Sequence, residues 1–189
     1  MHPLEALLLP LGRLFRGRHA DEARSISHRP ELATTSSLGF GSPRFGDGQE
    51  IPARYCGRLI GDNLSPALSW TNLPAATADL LLVMEDLDSP GESPRLHAVA
   101  AFAPEPGRLD DGALNAGSSQ ARFLRDGHGP LAYSGPRPLP GHGPHHYRFH
   151  LCALDRRIDI DQLDAVGPLL AAVQGHVLAS ATITGTRET

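Results

Sequence analysis

Three unbroken apolar stretches of strand length limit what this chain can become. They are ADLLLVMED (78–86), RLHAVAAFA (95–103) and HHYRFHLCAL (145–154). An apolar run with no polar alternation belongs to a strand covered on both faces. A fourth stretch, HVLASATITG (176–185), alternates instead, with Val177, Ala179, Ala181 and Ile183 on one face. A sheet of this kind needs a layer on each side. The chain has 189 residues, enough for a core of that size, and 20 glycines and 17 prolines to turn between strands.

The remaining segments are read as accessories to that sheet. IPARYCG (51–57) reads as a short extended piece after the FGDGQE turn. LSPALSW (64–70) reads as a Pro-broken extended piece ending on the sole tryptophan, Trp70. Leu163, Val166, Leu170, Val173 and Val177 keep helical spacing, with Pro168 in the first turn and Gly175 at the end. Residues 104–144 carry much Gly and Pro and are expected to form long loops, which on a strand scaffold carry binding sites. Residues 1–37 differ from the rest. Leu4, Leu7, Leu8, Leu11 and Phe15 form a helical stripe, and the expectation is a terminal helix kinked at Pro10 and packed on its own domain or a second subunit. SISHRPELATTSS then reads as a connector. The fold class is mainly β (α+β) with peripheral helices, divided into 1–37, a helical segment and connector, and 38–189, the folded domain.

Composition excludes several functions. The formal net charge is −4, with no basic stripe beyond the first 30 residues, so no nucleic-acid partner is expected. There is no lysine, which removes a P-loop lysine, a Schiff base and an ammonium general base. Cys56 and Cys152 lie far apart, with no metal-binding spacing, and Cys152 reads as an inert buried thiol. The N-terminal leucines have no preceding positive charge and no cleavage site, and the run is too short to span a membrane; the expected location is cytoplasmic. No G-x-S-x-G is present, and none of the G-x-G pieces completes G-x-G-x-x-G. His142, His145 and His146 raise zinc, but His145 and His146 diverge in a strand, so no metal and no other cofactor is expected.

Three places can carry chemistry. In EDLDSP (85–90), Asp86 and Asp88 would point to the same side if the strand continues, and could bind a cation, share a proton or accept hydrogen bonds. His97 opens the second apolar run. In the third run, alternation puts His145 with Tyr147, Phe149 and Leu151, and His146 with Arg148, His150 and Cys152. Two hydrogen-bonding side chains, His145 and Tyr147, then suit an anion oxygen. His146 is expected at the surface.

Taken together, IPARYC, LSPALSW with NLPA, VMEDLDSP, LHAVAAFAP, YSGPRPLPGHGPHHYRFHLCALD and GHVLASATITGT run in the order of the phosphatidylethanolamine-binding protein family, in its bacterial Raf-kinase-inhibitor-like branch. They resemble that family's S-P-P-L-x-W, D-P-D-A-P and G-P-x-P-P-x-G-x-G-P-H-R-Y patterns over residues 38–189. The resemblance implies a large β-sheet packed on a smaller one, with helices at the edge and near the C-terminus. It implies a small anion pocket holding Asp86, Asp88, His97, His145 and Tyr147, with Tyr133, Gly135 and Pro136 as a wall and Trp70 below or beside it. Asp86 would orient a histidine so that an N–H faces the ligand. Three departures stand out. Leu87 and Ser89 replace the proline and alanine of D-P-D-A-P, Leu139 breaks the proline run, and His146 stands in place of arginine. The function implied is a homodimeric binding module for an anionic or phosphate-bearing headgroup, not an enzyme. The alternatives are a hydrolase using the Asp/His cluster and a regulator that inhibits a kinase or protease partner.

Overall fold

A computed structural model describes residues 3–189. The three apolar runs become the central strands of one antiparallel sheet. In chain order the strands are β1 (Gly39–Gly41), β2 (Leu68–Thr71), β3 (Asp79–Asp86), β4 (Arg95–Phe102), β5 (Arg108–Leu109), β6 (Arg122–Phe123), β7 (Arg125–Asp126), β8 (Gly129–Pro130), β9 (His145–Leu154) and β10 (Val177–Arg187). The large sheet runs β10-β9-β3-β4-β6, the small one β1-β2-β5, and β7 and β8 pair alone. Helix α1 spans Pro3–Phe15 and α2 spans Val166–Val173.

The lack of alternation in β3 has the expected cause. Its residues are buried on both faces. Leu80, Leu82 and Met84 pack toward the small sheet with Phe102, Trp70, Phe149 and Leu151. Leu81 and Val83 pack on the other side with α2 residues Leu169, Leu170 and Val173. Each buried Leu or Val there contributes about 1.5–3 kcal/mol relative to exposure. The mainly-β, two-sheet architecture read from the sequence is the one observed.

Several local expectations are corrected. Residues 53–55 form a 3₁₀ turn rather than an extended piece. The C-terminal helix is shorter than its apolar spacing: Leu163 caps a preceding 3₁₀ turn, and Val177 opens β10. Gly175 does end the helical segment, with φ +78°. Val177 does not share a face with Ala179 and Ile183. The register of β10 against β9 slips between Val177 and Ala179, so Val177 packs beside α2 while Ala179 and Ile183 join the inter-sheet core. One extra residue inverts the pleat, which periodicity alone cannot reveal.

The N-terminal helix also sits differently from its expected pose. It continues through Pro10. Its seat is Gly12, not the leucine stripe: a Cβ at Gly12 would lie 1.9 Å from the Pro140 carbonyl oxygen. Of the stripe, Leu7 is 75% exposed and Leu8 and Leu11 are 42% exposed. The side chain of Leu4 lies outside the described residues. The connector is integral to the core, because Ile26 and Leu32 pack against the outer face of the large sheet. Glu85, buried on that face, accepts hydrogen bonds from the Ser25 hydroxyl (2.6 Å) and the Ile26 amide (2.9 Å), which ties the connector down.

Candidate functional site

The inter-sheet face of β3, β4 and β9 ends in polar residues. Asp86 is the last residue of β3 and lies opposite Tyr147 of β9, so parity places Asp86, His145 and Tyr147 on one side. His97 arrives by another route. Met84 pairs with Ala98, yet Glu85 pairs with Leu96, so His97 is the extra residue of a β-bulge. Bulges re-aim a side chain, and this one turns His97 toward Asp86. Its Nε2 lies 4.0 Å from Asp86 Oδ2.

Asp86, His97 and His145 floor a cavity of about 420 Å³, a volume in the range of small-ligand sites. Asp86, His97 and His145, with Ser89, are its buried polar side chains. Arg95, Arg137, Leu8 and Leu59 are exposed and mark its mouth, with Pro138, Leu139 and Pro140 along one side. Neither Arg95 nor Arg137 makes an ion pair among the described residues.

The floor is a chain of hydrogen bonds. His145 Nδ1 faces both oxygens of Asp86, at 2.8 and 3.0 Å. His145 Nε2 meets His142 Nδ1 at 3.0 Å, and His142 Nε2 donates to the Arg18 carbonyl at 2.9 Å. The Asp88 amide donates to Asp86 Oδ1 at 3.0 Å. Asp86 therefore does hold a histidine in place, but the far nitrogen of that ring faces His142 and not an open ligand position. His97 Nδ1 donates to the Ser134 carbonyl, and its Nε2 has no partner. Burial holds the His97 ring below the usual imidazole pKa, against the opposing pull of the Ser134 carbonyl and Asp86.

Tyr147 stacks near His145, with centroids 6.3 Å apart, and meets His97 edge-on at 5.3 Å. It is fully buried behind the floor and does not line the cavity. Burial, with the Asp86 charge, raises its phenol pKa far above the ordinary value.

The other expected residues separate. Asp88 is not on the floor, because β3 stops at Asp86 and the next residues turn. The carboxylate of Asp88 accepts from the His146 amide (2.6 Å) and pairs with the His146 ring (2.8 Å) and with His19 (3.0 Å). Burial opposes its charge, but the His146 amide and ring outweigh that and hold Asp88 below the usual carboxylate pKa. His146 is exposed, as parity requires. Gly135 lines the cavity, whereas Tyr133 and Pro136 brace that wall from behind. The Tyr133 hydroxyl donates to the Tyr55 carbonyl at 2.7 Å, and the Gly57 amide donates to the Pro136 carbonyl at 2.9 Å. A Cβ at Gly135 would lie 2.3 Å from the Tyr55 oxygen, so this wall requires glycine. Trp70 lies in the small sheet against Phe102, with its indole N–H bonded to the Pro104 carbonyl at 2.8 Å. It belongs to the core and not to the cavity.

Sequence reasoning missed Arg95, Arg137 and Ser134, and weighed His142 only for zinc. Arg137 carries no periodic signal, sitting in the loop PRPLP. His142 had one available signal, its three-residue spacing from His145 across a Gly-Pro turn.

Comparison with known proteins agrees with this architecture. The profile of the phosphatidylethanolamine-binding protein family matches residues 41–188. A UPF0098 protein of Methanothermobacter thermautotrophicus is 33% identical over 151 residues, covering 75% of this chain and 92% of its own. LppC of Mycobacterium tuberculosis, which carries a lipoprotein name, is 33% identical over 133 residues, covering 70% of this chain and 63% of its own. Among solved structures, the Chlamydia trachomatis protein CT736 superposes with a TM-score of 0.69 at 27% identity, over 82% of this chain and 99% of its own. No described helix is long and apolar enough to cross a membrane. Sequence profile, fold and strand-end residues agree: this chain belongs to the phosphatidylethanolamine-binding protein family.

Proposed function

We propose that this protein is a binding module for a small anionic, phosphate-bearing headgroup seated in the Asp86–His97–His145 cavity. The observation that carries the reading is the pair Arg95 and Arg137 at the mouth of a buried polar floor. Two guanidinium groups without carboxylate partners among the described residues attract an anion. The floor then supplies orientation. A thiolate hydrolase is disfavoured, because burial pushes Cys56 up to about 11 and Cys152 up to about 12, and neither lines the cavity. Calorimetry with inorganic phosphate tests the proposal. Binding is expected, weakened about tenfold by Arg137→Ala and by Arg95→Ala. No heat at millimolar phosphate, or unchanged affinity in the double variant, refutes it.

The proposal extends to a cytoplasmic homodimer, with the outward leucines of α1 as the contact. Light scattering of the full chain is expected to give twice the chain mass, and a monomer mass removes that part. Cell fractionation checks the location.

A further inference from the structure

The hydrogen bonds of the floor fix which of its atoms can donate. The Arg18 carbonyl only accepts, so His142 carries a hydrogen on Nε2. The contacts Asp86–His145, His145–His142 and His142–Arg18 need one hydrogen each. Two neutral imidazoles supply one apiece. A further hydrogen therefore resides in the chain and makes the aspartate and its two histidines neutral as a set. Its position along the chain does not alter the outcome at the cavity. In every arrangement it lies within one of those contacts, and the free lone pairs of Asp86 can only accept.

His97 leads to the same result. Its Nδ1 is committed as a donor to Ser134, and its buried Nε2 has no partner. A second proton on this ring is opposed by burial. Nε2 is thus a lone pair, 4.0 Å from Asp86 Oδ2. The innermost part of an anion site presents two acceptors side by side. The Tyr147 hydroxyl is buried without a partner and does not line the cavity, and the buried Ser89 hydroxyl, which does line it, donates to the Ser93 carbonyl at 3.4 Å. Arg95 and Arg137 belong to the mouth.

We propose that the floor selects anions that bring a hydrogen of their own: inorganic phosphate and phosphate monoesters in their protonated form, over sulfate and phosphate diesters. This rests on the anion reading above and narrows it to a ligand class. A P–O–H group donates to Asp86 or His97 while its charged oxygens face the arginines. Sulfate has the same shape and no hydrogen, so its oxygens would face acceptor lone pairs in a buried site. An ammonium could also donate, but the floor is neutral. It offers no hydrogen to the cavity and has no net charge to match a cation.

Calorimetry on the full chain at about pH 5.5, below the second phosphate ionisation near 6, separates these ligands. Inorganic phosphate and methyl phosphate are expected to bind. Sulfate, dimethyl phosphate and glycerophosphoethanolamine are expected to bind at least about tenfold more weakly. Sulfate or dimethyl phosphate matching phosphate overturns the selectivity while leaving the anion reading intact. Glycerophosphoethanolamine matching phosphate overturns it in favour of an ammonium donor, such as a lipid headgroup carries. If none of the five binds, the anion reading falls and the selectivity with it. Asp86→Asn places an amide donor on the floor. In a variant whose circular dichroism matches the wild type, the gap between phosphate and sulfate is expected to narrow at least about threefold; an unchanged gap counts against the proposal.

Discussion

Two aspartate–histidine pairs lie two residues apart along the same stretch of chain. Asp86 meets His145 at 2.8 Å, and Asp88 meets His146 at 2.8 Å. The chemistry is identical and the setting is not. The side chains of His145 and Asp86 are 2% and 6% exposed, and those of His146 and Asp88 are 48% and 15% exposed. The inner pair lies on the cavity floor. The outer pair, through His19, ties down the segment that follows α1. One step of strand parity at residues 145 and 146 separates a side chain on the cavity floor from a structural clamp. A pairing distance alone does not identify a functional residue.

Removing each histidine in turn is the most direct way to break this comparison. His145→Ala leaves Asp86 buried without its ring partner and leaves His142 Nδ1 unbonded. It is expected to lower the unfolding free energy by about 3–5 kcal/mol in urea titrations. His146→Ala loses one contact to a solvated carboxylate and is expected to cost less than about 1 kcal/mol. Equal costs would show that burial does not distinguish the pairs.

A third histidine sharpens the comparison. His150 follows His146 on the same strand face but lies deeper, where burial, with the charges of Arg148 and His28, lowers it to about 4. The unfolded chain, with an ordinary histidine near 6.5, takes up the proton first. Stability is therefore full above about pH 6.5 and is lost as pH falls toward 4. The loss attributable to this ring is up to about 3 kcal/mol. His150→Leu is expected to flatten urea midpoints across that window. A slope equal to wild type would mean that the ring opens to solvent before it titrates.

The fold was legible wherever one local rule sufficed. Continuous apolar runs marked β3, β4 and β9 because both faces of each are covered. The pairing of His145 with Tyr147, and the outward turn of His146, followed from parity. What alternation could not reveal depended on a single inserted or omitted residue. The bulge at His97 brings it to Asp86, and the slip at Val177 turns that side chain to the α2 side. The end of β3 sends Asp88 outward. Gly12 reversed the expected pose of α1, because the face without side chains packs closest. Arg95 and Arg137 are brought to one mouth by tertiary folding, and neither stands in a pattern of its own.

A further small effect concerns the outer pair alone. Asp88→Asn keeps the shape but weakens the ties to His19 and to the ring and amide of His146. It is expected to cost about 1 kcal/mol, seen as an approximately fivefold loss of hydrogen-exchange protection around Arg18 and Ala20. The wild type should lose the same protection in acid. The carboxylate of Asp88 is held below its ordinary pKa, so its contribution is present above about 3.9, the unfolded value, and disappears as pH falls through the folded one. A side-chain amide cannot titrate, so the variant should show no such acid step from this position. Phosphate affinity provides the control. It should change by less than about twofold, since the His142 contact to Arg18 stays in place when the outer tie is cut. A larger change would mean that the two pairs act as one network, with the segment after α1 reaching the cavity floor through both histidines.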